Sequence, residues 1–191
     1  MTPAGEHTRQ AGVRNDEENW SNGKPGDAAI TVCVPCYRDD ASALIADLSQ
    51  AKGAARVAVL VYDDGSGDPQ LTARLKPFLE AYPGPARLVT ASVNHGRAHA
   101  RNRLHHLSKS HWILFLDADM KPDDPKFLAR YLTAVEDCDG PALIAGGFSL
   151  QHAKVSAQTR LHAAQSLASE CLAAAERRKE PGRYVFTSNI L

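Results

Sequence analysis

Short runs of apolar and β-branched residues recur along this chain, and three of them stop abruptly at polar, mostly acidic clusters. Ile30–Val34 leads into Pro35-Cys36-Tyr37-Arg38-Asp39-Asp40, Val57–Tyr62 into Asp63-Asp64-Gly65-Ser66-Gly67-Asp68, and Trp112–Leu116 into Asp117-Ala118-Asp119. A continuous apolar run of this length suits a strand covered on both faces. Arg87–Thr90 is read as a further strand between the second and third of these runs.

The segments between them carry apolar residues at helical spacing. Leu44, Ile45 and Leu48 follow a cap at Asp39 or Asp40 and end at Gly53. Leu71, Leu75, Phe78 and Leu79 follow Asp68-Pro69, and Pro77 is expected to kink or divide that helix. Gly96–Ser108 reads as a basic helix. Asp124-Pro125 opens a helix with Phe127, Leu128, Tyr131, Leu132 and Val135 inward. Leu143–Ala145 reads as a strand, Ser156–Lys179 as one long Ala-rich helix, and Tyr184–Leu191 as extended. Regular alternation of strand and helix predicts an α/β fold with a mainly parallel sheet flanked by helices. Ligands of such sheets bind beyond the carboxyl ends of the strands, where the acidic clusters fall.

Residues 1–27 are polar with few large apolar side chains, Trp20 excepted, and are expected to be a disordered tail. One domain is expected over 28–191. The 22 basic residues balance the 22 acidic ones, so no global charge draws the chain to nucleic acid or anionic lipid. The basic helix lacks the interleaved aromatics of a nucleic-acid surface. No stretch is long and apolar enough to span a bilayer, and the N-terminus lacks a secretion signal. The four cysteines are too few and scattered for a disulfide framework. Together these features predict a cytoplasmic protein, with the inner face of the membrane within its reach.

Carboxylates gathered at one sheet edge repel unless a cation lies among them, and a hard divalent ion, Mg²⁺ or Mn²⁺, is the natural partner. Other readings compete. Cys33-Val34-Pro35-Cys36 has the outline of a redox pair, but Cys33 sits inside the apolar run and the acids would be left unexplained. Zinc lacks a second ligand pair at suitable spacing. Asp117-Ala118-Asp119 also fits the first motif of haloacid-dehalogenase-type phosphatases, although that motif belongs on the first strand of its domain. His95 and His99 are four apart, as one metal would need, and read better as exposed helix-face residues.

Four motifs in order carry a more specific resemblance. Val34-Pro35-Cys36-Tyr37-Arg38 resembles the Pro-x-Tyr-Asn opening of family 2 glycosyltransferases, with Arg38 in place of the commoner Asn. Val61-Tyr62-Asp63-Asp64-Gly65-Ser66 is similar to their Val-Asp-Asp-Gly-Ser strand end. Asn94-His95-Gly96-Arg97-Ala98-His99-Ala100-Arg101-Asn102 is similar to their Asn-x-Gly-x-x-x-Ala-Arg-Asn helix. Phe115-Leu116-Asp117-Ala118-Asp119 resembles their Asp-x-Asp strand end, followed by Pro122.

The resemblance implies a GT-A fold and inverting sugar transfer from a nucleotide sugar, a UDP-sugar in most members, to a glycan or other hydroxyl acceptor. It implies that Pro35 and Tyr37 line the nucleobase and that Asp64, with Asp63, hydrogen-bonds it. Arg101 and Asn102 would flank the donor pocket. Asp117 would contact ribose or metal, and Asp119 the Mn²⁺ or Mg²⁺ that grips the diphosphate. No later acid, from Asp123 to Glu180, has the setting of the general base. The chain therefore reads as a piece of a longer protein with its acceptor side missing, able to bind a nucleotide sugar even without turnover.

Overall fold

The computed structural model describes residues 14–24 and 27–191. Its strands are β1 (Glu17–Ser21), β2 (Ile30–Cys36), β3 (Val57–Asp63), β4 (Ala86–Ala91), β5 (Trp112–Leu116) and β6 (Asn189–Ile190). Its helices are α1 (Ser42–Gln50), α2 (Pro69–Ala81), α3 (Arg97–Leu107), α4 (Phe127–Glu136), α5 (Arg160–Ser169) and α6 (Ala174–Arg177). One sheet runs in the order β1-β4-β3-β2-β5-β6. The inner four strands are parallel, and β1 and β6 are antiparallel edges. This is the expected α/β architecture with a mainly parallel sheet.

The continuous apolar runs follow from cover on both sheet faces. One face packs Val32, Val34, Val59, Val61 and Leu88 against Leu44, Ile45 and Leu48 of α1, Leu71, Leu75 and Leu79 of α2, and Leu128 and Leu132 of α4. The other packs Cys33, Leu60, Tyr62 and Val89 against Ala100, Leu104 and Leu107 of α3. Each fully buried leucine in these layers contributes about 2 kcal/mol. Helix starts use the acids that the sequence offers. Asp68 accepts from the Gln70 N–H at 2.9 Å, and Asp40 accepts from the Ser42 N–H at 2.9 Å. The helix α2 continues through Pro77 rather than dividing there.

Four expectations are corrected. The disordered tail expected over 1–27 lies partly outside the described residues, and within them residues 17–21 form the edge strand β1. Leu143–Ala145 makes only an isolated bridge, Ala145 to Ile190, because β6 takes the place beside β5. The long helix over 156–179 is interrupted between α5 and α6: Ala-rich spacing supplies helix propensity, but only Ala163 and Ser166 of it are buried. Within 184–191 only Asn189–Ile190 is strand.

The strand β1 is held by more than its ladder. The Glu17 side chain, 1% exposed, accepts from Arg103 Nε at 2.7 Å and from Arg103 Nη2 at 2.6 Å. It also accepts from the Arg14 backbone N–H at 3.0 Å and from the Tyr62 hydroxyl at 3.3 Å. Asn19 accepts from Arg87 Nε, and Trp20 packs on the opposite face. Burial alone would push the Glu17 carboxyl upward, but the bonds from Arg103 and the Arg14 backbone outweigh it and hold the group below the usual glutamate range. A depressed carboxylate stabilises the fold above its unfolded value, and that stabilisation disappears as pH falls through the folded one. Glu17→Ala leaves Arg103 without this buried counter-charge and should cost about 3 kcal/mol in urea denaturation at neutral pH. The difference from the parent chain should shrink in acid.

Candidate functional site: an acidic cleft between two strand ends

The chain leaves β2 for β3 and β4 on one side and reaches β5 on the other, so the sheet's switch point lies between β2 and β5. A cleft of about 380 Å³ opens there. Pro35, Cys36, Tyr37 and Asp39 line it from the β2 end, Asp64 from the β3 end, and Asp117, Ala118 and Asp119 from the β5 end. Asn94, Gly96, Arg97 and Ala100 complete it from the start of α3. Five of the residues predicted for the donor, Pro35, Tyr37, Asp64, Asp117 and Asp119, therefore share one cavity.

The other three stand differently. Asp63 lies beneath the turn, 1% exposed, and accepts from the Ser66 N–H at 3.0 Å. Arg101 reaches the cleft through Asp117 rather than lining it. Asn102 is exposed on α3 and outside the lining. Arg97, Asn94 and Asp39 line the cleft and were not assigned to it from sequence. Arg97 belongs to the basic helix, whose position beside the strand ends is fixed only by the tertiary fold.

The carboxylates have distinct surroundings. Asp64 is 2% exposed, and it accepts from Asn94 Nδ2 at 3.0 Å, from the His95 N–H at 3.1 Å and from the Gly96 N–H at 2.7 Å. Two of these donors are backbone groups at the N-terminus of α3, where a negative charge is stabilised. Asp117 accepts from Arg101 at 2.6 Å and from Arg97 at 2.8 Å, one guanidinium on each oxygen. Burial pulls the Arg101 guanidinium below its ordinary value, against the pull of Asp117. Arg101 also stacks on Phe115 at 5.1 Å and donates to the Thr187 carbonyl at 2.7 Å. Asp119 is exposed and, among the described residues, has no hydrogen-bond or ion-pair partner.

The acidic field shows at Cys36, whose thiol is pushed far up by burial and by the charges of Asp63, Asp39, Asp40 and Asp117. Cys33 is raised by burial alone. Both are free, and they sit on opposite faces of the sheet, Cys36 with α1 and α2 and Cys33 with α3. No redox couple forms from such a pair. Asp117, clamped by two arginines, is equally ill-suited as the phosphatase nucleophile. His95 precedes α3 instead of sharing a helix face with His99. Among the described residues no three His, Cys, Asp or Glu side chains make a self-sufficient metal site.

A second cavity, of about 660 Å³, meets the first at Asp119. Its wall is largely apolar, with Leu116, Met120, Phe127, Tyr131, Ile144 and Phe148. Asp123 also lines it and accepts from the Ser149 hydroxyl at 2.6 Å.

The sequence pattern described as glycosyl transferase family 2 matches residues 31–158, which include β2 from its second residue, the cleft and α4. The chain belongs to that family. Among solved structures it is similar to the mannosyltransferase PcManGT from Pyrobaculum calidifontis, in complex with GDP-Man and Mn²⁺, at 19% identity and a TM-score of 0.53. That similarity covers 64% of this chain and 39% of the mannosyltransferase chain, so this chain spans about two-fifths of that relative. S. aureus TarS also aligns, at 20% identity and a TM-score of 0.47, over 56% of this chain and 32% of its own. No curated protein sequence matches significantly. The sheet and its flanking helices thus form part of a GT-A fold. Family membership supports glycosyl transfer, and among the described residues no helix is long and apolar enough to cross a membrane.

Within the family motif, Gly65 is fixed by geometry. Its φ is +73°, and an added Cβ would come within 2.3 Å of the Val93 carbonyl carbon and 2.4 Å of the Asn94 N. Gly65→Ala therefore has to push the 93–96 loop off Asp64. It should cost more than about 1 kcal/mol in urea denaturation.

Proposed function

We propose that this chain binds a nucleotide sugar, with UDP-sugar as the first candidate, and takes part in passing the sugar to an acceptor hydroxyl with inversion. The observation that carries this reading is the unequal neutralisation of the cleft's acids. Asp63, Asp64 and Asp117 all have donors within the chain, while Asp39 and Asp119 are exposed and without a partner among the described residues, and of these two only Asp119 also lines the second cavity. Mg²⁺-type cations bind through one or two carboxylates together with substrate phosphates. The absence of a three-ligand cluster among the described residues is consistent with a cation that arrives with the diphosphate.

In this reading Asp119 holds the Mn²⁺ or Mg²⁺, and Asp117, which keeps lone pairs beside its two arginine bonds, is the second candidate ligand or the ribose acceptor. Such a cation supplies neutralisation of charge on the departing diphosphate. Pro35 and Tyr37 border the base, and Asp64, already oriented by the 94–96 loop, presents its remaining acceptor capacity to a base N–H. Arg101 fixes Asp117, and Asn102 has at most an indirect part. Displacement from the face opposite the diphosphate inverts the anomeric centre, with the acceptor approaching through the larger cavity. That step also needs a base for the acceptor proton. Asp123 is the later acid nearest this path, but Ser149 engages it, which favours a second reading in which the chain binds donor without turnover.

The mannosyltransferase complex contains GDP-Man and Mn²⁺, so GDP is the competitor against which UDP has to be measured. Calorimetry with UDP and GDP should give binding that is at least about tenfold tighter with Mn²⁺ than with EDTA, a difference of about 1.4 kcal/mol. Asp119→Ala should remove most of that difference while leaving the melting temperature near that of the parent, because the side chain is exposed. Equal affinity with and without the metal in the parent would overturn the metal assignment. Release of sugar or its transfer to an added acceptor separates the enzyme from the binding-only reading.

A further inference from the structure

We propose that Arg14 and His99 are positioning residues for the Asp64 carboxylate, so that the segment leading into β1, outside the family match, forms part of the nucleotide site. The proposal rests on reading the cleft as that site.

The geometry runs from solvent to the cleft in two steps. Arg14 Nη1 lies 3.0 Å from His99 Nε2. A guanidinium can only donate, so Nε2 must accept, and in a neutral imidazole the proton then resides on Nδ1. His99 Nδ1 is buried without a hydrogen-bond partner, 3.9 Å from Asp64 Oδ1. Arg14 therefore selects the tautomer that aims an N–H at the cleft carboxylate. Of the two Asp64 oxygens, Oδ1 has the fewer donors, the His95 N–H alone, which it shares with Oδ2. The remaining distance is too long for a hydrogen bond and too short to admit a water, so a small shift of either group closes it.

The segment is placed firmly enough for this role. Glu17, three residues on, is clamped bidentately by Arg103, one turn beyond His99 on α3. The Arg14 backbone N–H itself donates to Glu17. Asp16 adds a second tie: its carbonyl accepts from the Ser92 N–H at 3.0 Å, and its carboxylate lies 3.8 Å from His95 Nε2. The His95 and His99 rings lie 4.6 Å apart, so the two ties bear on one cluster over Asp64.

Two readouts test this. Nitrogen-resolved NMR of the histidine side chains, at about pH 8.5 where an ordinary imidazole is neutral, should find His99 in the Nδ1–H form in the parent. In Arg14→Ala, which keeps the backbone bond to Glu17, it should move toward the Nε2–H form. Calorimetry with UDP and with GDP, each with Mn²⁺, should show about fivefold weaker binding in Arg14→Ala and in His99→Gln, roughly the effect of one net hydrogen bond. His99→Asn, whose amide N–H occupies the Nδ1 position, should stay near the parent, with thermal denaturation confirming that all variants fold. An Nε2–H form in the parent, a tautomer unchanged by Arg14→Ala, or equal affinity in parent and His99→Gln overturns the proposal. A parent that binds neither nucleotide overturns the reading of the cleft instead, and the tautomer alone then decides whether Arg14 sets His99.

Discussion

Like charges gathered at one sheet edge must each find compensation, and the way this is done organises the cleft. Asp63 is satisfied by its own turn, Asp64 by the start of α3, and Asp117 by two arginines further along the same helix. A single helix therefore orders two of the acids from two different strands. Because Asp64 follows β3 and Asp117 follows β5, α3 ties the two sides of the switch point together. Its inner face packs Ala100, Leu104 and Leu107 onto the sheet. Packing thus holds the electrostatics in place, and Asp39 and Asp119 are left as the cleft carboxylates that face outward.

That arrangement also explains why the chain takes a positive φ just beyond two of the strand ends. Gly65 takes a positive φ with the 93–94 backbone almost in contact, and any side chain would intrude on the loop whose amides bind Asp64. The αL backbone of Arg38, φ 61°, is a similar case, supported by the bond of its N–H to the Ser66 hydroxyl at 2.6 Å. Ser66 in turn donates its own N–H to Asp63. The β2 and β3 turns are thereby cross-linked across the parallel pair, which makes this wall of the cleft one unit.

The edge strand β1 adds a layer that the family pattern does not include. A buried ion pair contributes little net stability unless its geometry is good, and Glu17 with Arg103 has that geometry, bidentate and supplemented by Tyr62. The result covers the outer edge of the parallel sheet, and an exposed β4 edge would otherwise present unpaired backbone groups.

The sequence by itself determined the alternation of strands and helices, the parallel core and the acids that end its strands. Those features are local: continuous β-branched runs, helical spacing and capping acids act within a few residues. It also carried the family motifs in order, and with them Pro35, Tyr37, Asp64, Asp117 and Asp119 as cleft residues. What only the tertiary structure decided depends on partners far apart in the chain. Glu17 reads as part of a polar tail until Arg103, 86 positions away, is placed beside it. Arg97 reads as a solvated helix face until β5 brings Asp117 within 2.8 Å. Asn102, one place after Arg101, is turned outward by the helical rotation that turns Arg101 in. The stretch over 156–179 has helical composition but few buried residues, so propensity alone did not hold it as one helix.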